Sequence, residues 1–245
     1  MKRVIIILSM LLTLVFTAFN NIEAAQNKRN LASEVKTETI ENKTPYFKSE
    51  LNIPVVTISG NNKLSDRINK IFKEEAIAFR DQVEAEAKKA YEELTKAGIE
   101  VSPYEAITKY QIRNLKDYLS LTIIYYQYTG GAHGIYQVIS HNYDLASGNR
   151  LELKDIFKEG YNYKEVINKI IKESIEKRPE EFFPDAFQGI SDSQSFYIGR
   201  DGITVYFQNY EIAPYAAGNP EFLIPYSAIR EGLNINIDEI LKENG

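Results

Sequence analysis

The sequence contains no cysteine and no tryptophan, and only two of its 245 residues are histidine. Without cysteine, the chain has no disulfide bond, zinc–thiolate site or thiol nucleophile, and it lacks the residue that anchors a bacterial lipoprotein. Basic residues are also in the minority, with 29 Lys and Arg against 34 Asp and Glu and a net charge of −5. A nucleic-acid-binding protein needs a basic face to neutralise phosphates, so the composition argues against that class.

The overall composition is that of a folded protein. Hydrophobic residues make up 44% of the chain and charged residues 26%, which excludes wholesale disorder and leaves enough apolar surface for a core.

The N-terminal segment has the pattern of an export signal. Lys2 and Arg3 precede an apolar run over residues 4–19, and Ala24-Ala25 follows a short polar stretch. The pattern predicts a signal peptide over residues 1–25; because the run approaches the length of a membrane span, an uncleaved anchor is the alternative. Either way the rest of the chain is expected outside the cytoplasm, secreted or associated with the cell surface. Cleavage would leave 27 basic and 33 acidic residues, a net charge of −6.

Domain boundaries follow from shifts in polarity. Residues 26–44 are polar and lack an apolar period, which predicts a flexible tether. We expect an N-terminal lobe with a long helix and a hairpin over residues 45–145, and a smaller C-terminal lobe over residues 146–245.

Hydrophobic periodicity predicts an α+β fold. Apolar residues recur at helical spacing over residues 64–96, and a shorter helix is predicted over residues 163–177 with Asn162 as its N-cap. Alternating apolar residues predict a β-hairpin over residues 104–128, a return strand over residues 135–143 and another hairpin over residues 195–207. Because helices and strands do not alternate one for one, we expect antiparallel sheets packed against one long and one shorter helix, in two lobes.

Two ordered motifs carry a family resemblance. The first runs from Tyr128 to Gly134 with the sequence YTGGAHG. It is followed by Tyr143-Asp144-Leu145, by Ser147-Gly148 and by the spaced residues Leu151, Leu153, Asp155, Ile156 and Phe157. The second runs from Tyr210 to Gly218 with the sequence YEIAPYAAG. Tyr206-Phe207 precedes it, and Phe222, Ile224, Pro225 and Tyr226 follow it. Together they resemble a bacterial family of extracytoplasmic domains that includes the outer part of RsiV-type anti-sigma factors and the N-terminal region of PdaC-type peptidoglycan deacetylases.

The resemblance implies a binding function at the cell envelope. The outer domain of the RsiV type implies binding of lysozyme, and that of the deacetylase type implies association with the cell wall. Only three residues precede the apolar run, and no Asp-His-His metal pattern follows, so we expect neither a sigma-binding segment nor a deacetylase domain. The expected partner is a lysozyme-like protein or a cell-wall glycan, with contact to a membrane only through an uncleaved N-terminal segment.

The candidate ligand-binding residues are Tyr210, Pro214 and Tyr215, because tyrosines held on a loop that contains proline are effective binding anchors. An alternative is that these tyrosines cover one end of the sheet. Gly130, Gly131, His133 and Gly134 are interpreted as a structural motif, since glycine tolerates positive φ and the histidine is placed to bond the turn. No cofactor or metal is expected, because His133 and His141 alone do not make a convergent ligand set.

Two other functions remain open. A glycan-active hydrolase would use a pair of carboxylates from the loops, for which the candidates are Asp185, Asp192, Asp201 and Glu211. A plain envelope scaffold without a small ligand is the third possibility.

Overall fold

A five-stranded sheet in the order β1-β2-β3-β4-β5 is the largest element of the structure, a computed structural model that describes residues 33–241. Its strands are β1 (Ser33–Lys43), β2 (Phe47–Ile58), β3 (Tyr104–Leu115), β4 (Tyr118–Tyr128) and β5 (Ile135–Asp144). The predicted signal peptide lies outside the described residues. Within residues 33–241, no helix has both the length and the apolar character to cross a membrane.

The long helix is confirmed as one element, α1 (Asn62–Lys96), which is 35 residues and therefore about 52 Å long. Asn61 caps its N-terminus, because the side chain accepts a hydrogen bond from the amide of Leu64 at 3.2 Å. The apolar stripe of the helix, which includes Ile68 and Phe72, packs on one face of the sheet together with buried residues of β2, β4 and β5. Burial of that stripe fixes the helix across the sheet.

The predicted tether over residues 26–44 is wrong for residues 33–43, which form β1. This strand pairs antiparallel with β2 along its whole length, and Val35 and Ile40 pack against the core. Lys73 of α1 donates a hydrogen bond to Glu38 of β1 at 2.6 Å. An edge strand buries only one face and is commonly charged on the other, so its polar composition resembles that of a linker.

Strand β2 lies between β1 and β3 in the sheet. It pairs parallel with β3 only up to Leu51, so Pro54 lies beyond that pairing. The buried positions of β2 change phase there, from residues 51 and 53 to residues 56 and 58. A two-stranded ribbon twists more strongly than a sheet, which accounts for the change of face.

The second half of the chain forms a smaller sheet and the shorter predicted helix. The confirmed elements are α2 (Tyr163–Glu176), β6 (Phe196–Ile198) and β7 (Gly202–Tyr206). A third strand, β8 (Glu221–Pro225), and two short helices, α3 (Tyr226–Ile229) and α4 (Asp238–Leu241), follow. Asn162 caps α2 as predicted, and its side chain accepts from the amide of Glu165. One face of the antiparallel β6-β7-β8 sheet buries Ile203, Val205 and Ile224 in a second hydrophobic cluster.

The predicted fold class is confirmed: an α+β structure with sheets that are mostly antiparallel, one long helix and shorter helices. The boundary between lobes at residues 145 and 146 stays a prediction. Tyr118 of the large sheet belongs to the hydrophobic cluster of the second half, so the two sheets share part of their packing.

A buried polar bridge joins the sheets. The Ser120 hydroxyl on β4 donates to the side-chain oxygen of Asn142 on β5 at 2.6 Å, and the Asn142 amide donates to the Phe196 carbonyl at 2.9 Å. The Ile198 amide donates to the Ser120 hydroxyl at 2.9 Å. These two side chains therefore satisfy an N–H and a C=O of β6 that would otherwise be buried without partners.

Replacement of Asn142 by alanine is expected to lower the free energy of unfolding by about 2–3 kcal/mol, because the Phe196 carbonyl and the Ser120 hydroxyl lose a buried partner. Urea denaturation of Asn142→Ala measures this. The matched control is Asn149→Ala, at an exposed position, where we expect a change within about 0.5 kcal/mol. Equal stability of the two variants would show that the bridge does not hold the sheets together.

Candidate functional site: an aromatic surface beside strand β5

The turn between β4 and β5 contains the first motif, and two of its glycines have a local structural reason. Gly130 has a φ of +88°, a conformation that favours glycine. A Cβ on Gly134 would lie 2.3 Å from the ring of Tyr126, so a side chain there would displace that ring. At Gly131 the nearest atom to an added Cβ is 3.8 Å away, so the structure does not require glycine there.

The second motif forms a tight loop between β7 and β8. Tyr210 has a φ of +66°, which is uncommon for a bulky residue and marks local backbone strain. The Tyr210 amide donates to the Ala213 carbonyl at 3.1 Å, and the Glu211 carboxylate accepts from the Gln208 amide at 2.8 Å. These bonds hold the Tyr210 side chain outward, where 54% of the residue is exposed.

The two motifs meet in space and form what we call the aromatic site, made of Tyr126, His133, Tyr136, Tyr210 and Tyr215. The ring of Tyr215 stacks on His133 with centroids 4.4 Å apart, and Tyr210 stacks on the same tyrosine at 5.9 Å. Tyr136 contacts the Tyr215 ring edge to face at 5.9 Å. Tyr215 is therefore the centre of the aromatic site, and Tyr210 is its most exposed tyrosine.

The Gly134 carbonyl connects the two motifs through hydrogen bonds. It accepts from the Tyr215 hydroxyl at 2.9 Å and lies 2.9 Å from Nδ1 of His133. Because a carbonyl oxygen only accepts, the second bond requires a proton on Nδ1 of His133. Desolvation and the neighbouring phenols Tyr136, Tyr126 and Tyr210 raise the pKa of the Tyr215 hydroxyl, which keeps it protonated as a donor.

The outer edge of β5 positions the second motif. The Gln208 side chain accepts from the Val138 amide at 3.1 Å and donates to the Val138 carbonyl at 2.7 Å, as a neighbouring strand would. Asn209 donates to the Tyr136 carbonyl at 3.3 Å. Because β5 is the last strand of its sheet, these side chains cover backbone groups that would otherwise be exposed.

The structure brings the predicted ligand-binding and structural residues together into one surface. Tyr210 and Pro214 are exposed, whereas Tyr215 is half-buried and bonded to the first motif. His133, interpreted from sequence as structural, is also exposed and stacked within the aromatic site. Tyr126 and Tyr136 were missed as site residues, because alternation along a strand does not show which distant loop lies beside it.

His133 and His141 have different surroundings and do not form a shared site. His141 is fully buried beneath α1, where its ring meets Phe72 at 4.9 Å and its Nε2 lies 3.3 Å from Oε2 of Glu75. Burial by itself raises the pKa of Glu75, but the interaction with His141 outweighs burial, helped by Arg150 and Tyr125, so the pKa of Glu75 lies below its usual value. Among residues 33–241, no group of three potential ligands is placed to hold a metal ion.

Two of the four loop carboxylates considered for hydrolysis, Asp192 and Glu211, have other partners. Asp192 pairs with Lys164, which lowers the pKa of its carboxyl group, the opposite of the shift that a general acid needs. Glu211 is bonded within its own loop. Asp185 and Asp201 are exposed, and their backbone carbonyls accept hydrogen bonds from Gln188 and from the Tyr226 amide.

Two family models match parts of the chain. The model described as deacetylase PdaC matches residues 40–136, and the model described as a protein of unknown function, DUF3298, matches residues 154–227. The chain resembles RsiV- and PdaC-type domains. The first match contains the motif with Gly134 and the second contains Tyr215, so the aromatic site draws on both regions.

Curated relatives extend the resemblance over most of the chain. Peptidoglycan-N-acetylmuramic acid deacetylase PdaC from Bacillus subtilis is 27% identical over 218 residues, which is 85% of this chain and 44% of that protein. Anti-sigma-V factor RsiV from the same organism is 29% identical over 238 residues, covering 88% of this chain and 79% of the relative. The chain thus spans less than half of the deacetylase. These matches support a cell-envelope-related DUF3298 domain.

Solved structures share the fold. A DUF3298 family member from Bacteroides fragilis is 25% identical with a TM-score of 0.69, over 85% of this chain and 96% of the other. A DUF3298 family protein from Pseudomonas aeruginosa has a TM-score of 0.54 at 18% identity, over 83% of this chain and 94% of the other, and shows similarity of fold alone.

Replacement of Gly134 by alanine is expected to displace the Tyr126 ring, because the new Cβ would meet the outer ring atoms at 2.3–2.4 Å. Those atoms are the far end of a half-buried side chain, so the ring can swing outward and we expect a loss of only about 1 kcal/mol. Thermal denaturation and the ring-proton NMR signals of Tyr126 measure the two effects. Gly131→Ala is the control and should leave both unchanged; an unchanged Tyr126 ring in Gly134→Ala would contradict the packing described.

Proposed function

We propose that this chain is an extracytoplasmic binding module of the cell envelope, and that its aromatic site is the contact surface for a lysozyme-like protein. The observation that carries the proposal is the exposed Tyr210, held outward on a strained loop and backed by Tyr215 and His133. Rigid aromatic side chains of this kind supply most of the binding energy in protein interfaces.

Charge supports a basic partner. The chain carries a net charge of −5, and a lysozyme-like protein of opposite charge would be attracted over a long range. Long-range attraction raises the rate of association, whereas the aromatic site would provide the short-range contacts. The likeness to RsiV-type domains, for which the sequence motifs imply lysozyme binding, agrees with this assignment.

A cell-wall glycan is the second candidate ligand of the module. The outer face of Tyr210 is available for stacking on a sugar ring, and one relative is named for its action on a peptidoglycan sugar. Of the loop carboxylates considered for hydrolysis, Asp192 pairs with Lys164 and has a pKa below its usual value, whereas a general acid needs a raised one.

Replacement of Tyr210 by alanine is expected to weaken binding of lysozyme by about 2 kcal/mol or more, because the variant loses the exposed anchor and keeps the bond between Tyr215 and Gly134. Isothermal titration of residues 26–245 with lysozyme measures the affinity. Ile99→Ala is the control, since Ile99 is 53% exposed, close to the 54% of Tyr210, and takes no part in the contacts described for the aromatic site.

The same titration with soluble peptidoglycan tests the second candidate. No heat with lysozyme at micromolar concentrations, or an affinity that Tyr210→Ala leaves unchanged, would refute the lysozyme proposal. Turnover of the glycan would instead favour the hydrolase.

A further inference from the structure

Side chains cover the edge of β2 where β3 no longer pairs with it. There the Val56 amide donates to the side-chain oxygen of Asn69 on α1 at 2.7 Å, and the Asn69 side-chain amide donates to the Val56 carbonyl at 2.9 Å. The Ile58 amide donates to the Ser65 hydroxyl at 2.9 Å, and Pro54 has no amide to satisfy. In β2, as in β5, side chains thus occupy backbone groups that a further strand would use.

Within the described residues 33–241, the outer edge of β1 has no such cover. Thr44, which follows β1, donates its amide to the Phe47 carbonyl at 2.8 Å, and the pairing of β1 with β2 continues from there without a bulge. Residues along an antiparallel pair bond their partner strand alternately, so the even-numbered residues of β1 bond β2 and the odd-numbered residues turn their amides and carbonyls outward. The outward residues at the centre of the strand are Val35, Thr37, Thr39 and Glu41. No group of residues 33–241 bonds their backbone on that side.

The charges along β1 favour pairing with a second copy of the same strand. When two copies of β1 run antiparallel with Thr37 opposite Thr37, Lys36 of each copy lies opposite Glu38 of the other. These positions form pairs without mutual hydrogen bonds, in which side chains approach most closely and opposite charges stabilise the pairing. A shift of the centre by one residue would place Glu38 opposite Glu38 or Lys36 opposite Lys36, and like charges repel. Charge therefore selects one register.

Both charged side chains are able to take part in these pairs. Glu38 accepts a hydrogen bond from Lys73 through Oε1 at 2.6 Å, which leaves Oε2 for a second partner. Lys36 lies 3.3 Å from Glu34, and the two side chains are 72% and 61% exposed. Because exposed ion pairs contribute little to stability, Lys36 can exchange Glu34 for a carboxylate on another chain at little cost.

We propose that β1 is a homodimer interface, at which two copies of this chain pair antiparallel about Thr37 and join their five-stranded sheets edge to edge. A single pair of strands buries less surface than the interface of a tight dimer, so the association is weak and depends on concentration. Strands β1 and β5 are the opposite edges of the sheet. The interface therefore lies away from the aromatic site, and the proposal does not depend on the function assigned to that site.

Sedimentation velocity of residues 26–245 at micromolar to millimolar concentrations tests the interface. We expect a monomer–dimer equilibrium that Lys36→Glu weakens by about tenfold or more, because two attractive pairs become repulsive. Lys70→Glu is the control, since Lys70 on α1 is also 72% exposed and beside a glutamate, Glu74, and the variant has the same net charge. Exchange of the Thr37 amide should slow as the dimer forms, because the second copy gives that amide an acceptor.

A mixture of two variants tests the register. Lys36→Glu and Glu38→Lys should each dimerise weakly alone, because each variant places like charges opposite each other. An equimolar mixture should form a heterodimer about as readily as the unsubstituted chain forms its dimer, because both charge pairs are restored with reversed sign. Rescue in the mixture separates lost pairing from a folding defect, since mixing does not refold a misfolded variant.

Three results would overturn the proposal. These are a chain that remains monomeric at millimolar concentration, a dimer that Lys36→Glu and Lys70→Glu weaken equally, and a mixture that forms no heterodimer. A monomer whose Thr37 amide is protected from exchange would overturn it as well, and would favour cover of this edge by another part of the chain.

Discussion

The outer edge of β5 is the constraint on which the site depends. A terminal strand presents unpaired amide and carbonyl groups, and these must find water, another strand or side chains. Here the second half of the chain provides side chains: Gln208 bonds Val138, Asn209 bonds Tyr136, and Tyr215 bonds Gly134. The same contacts that cover the edge bring the second motif against the first.

The position of the small sheet makes this covering possible. Ser120 and Asn142 bind the backbone of β6 on one face of the large sheet, while α1 occupies the other face. With β6 held, β7 leads directly to Gln208 beside β5. Stability and site geometry are therefore coupled, because loss of the buried bridge would also loosen the loop that carries Tyr210.

Local patterns made much of the fold predictable. The long helix, the cap at Asn162 and the strand order β3-β4-β5 depend on residues close in sequence, and each has a clear periodic or capping signal. Strand β1 was predicted as a tether because Val35 and Ile40 are too few to stand out among charged residues. Parallel pairing of β2 with β3 was not predicted either, because the whole of α1 separates the two strands in the sequence.

Three of the five residues of the aromatic site were identified from the sequence, but their assembly was not predictable. Tyr210, Tyr215 and His133 were identified from their motifs, but the stacking of Tyr215 on His133 joins positions that no local pattern relates. The Tyr215 hydroxyl and the Gly134 carbonyl are separated by 81 residues. Only the packing of the small sheet against β5 brings them together, which is why the sequence motifs appeared as two separate features.

Amide hydrogen exchange at Val138 tests most directly whether side chains covering β5 assemble the site. In Gln208→Leu we predict that exchange of this amide accelerates by about tenfold or more, because its acceptor is gone. The NMR signal of the His133 ring, one of only two histidines in the chain, should shift as Tyr215 moves away. Unchanged protection of Val138 together with an unchanged His133 signal would contradict the account.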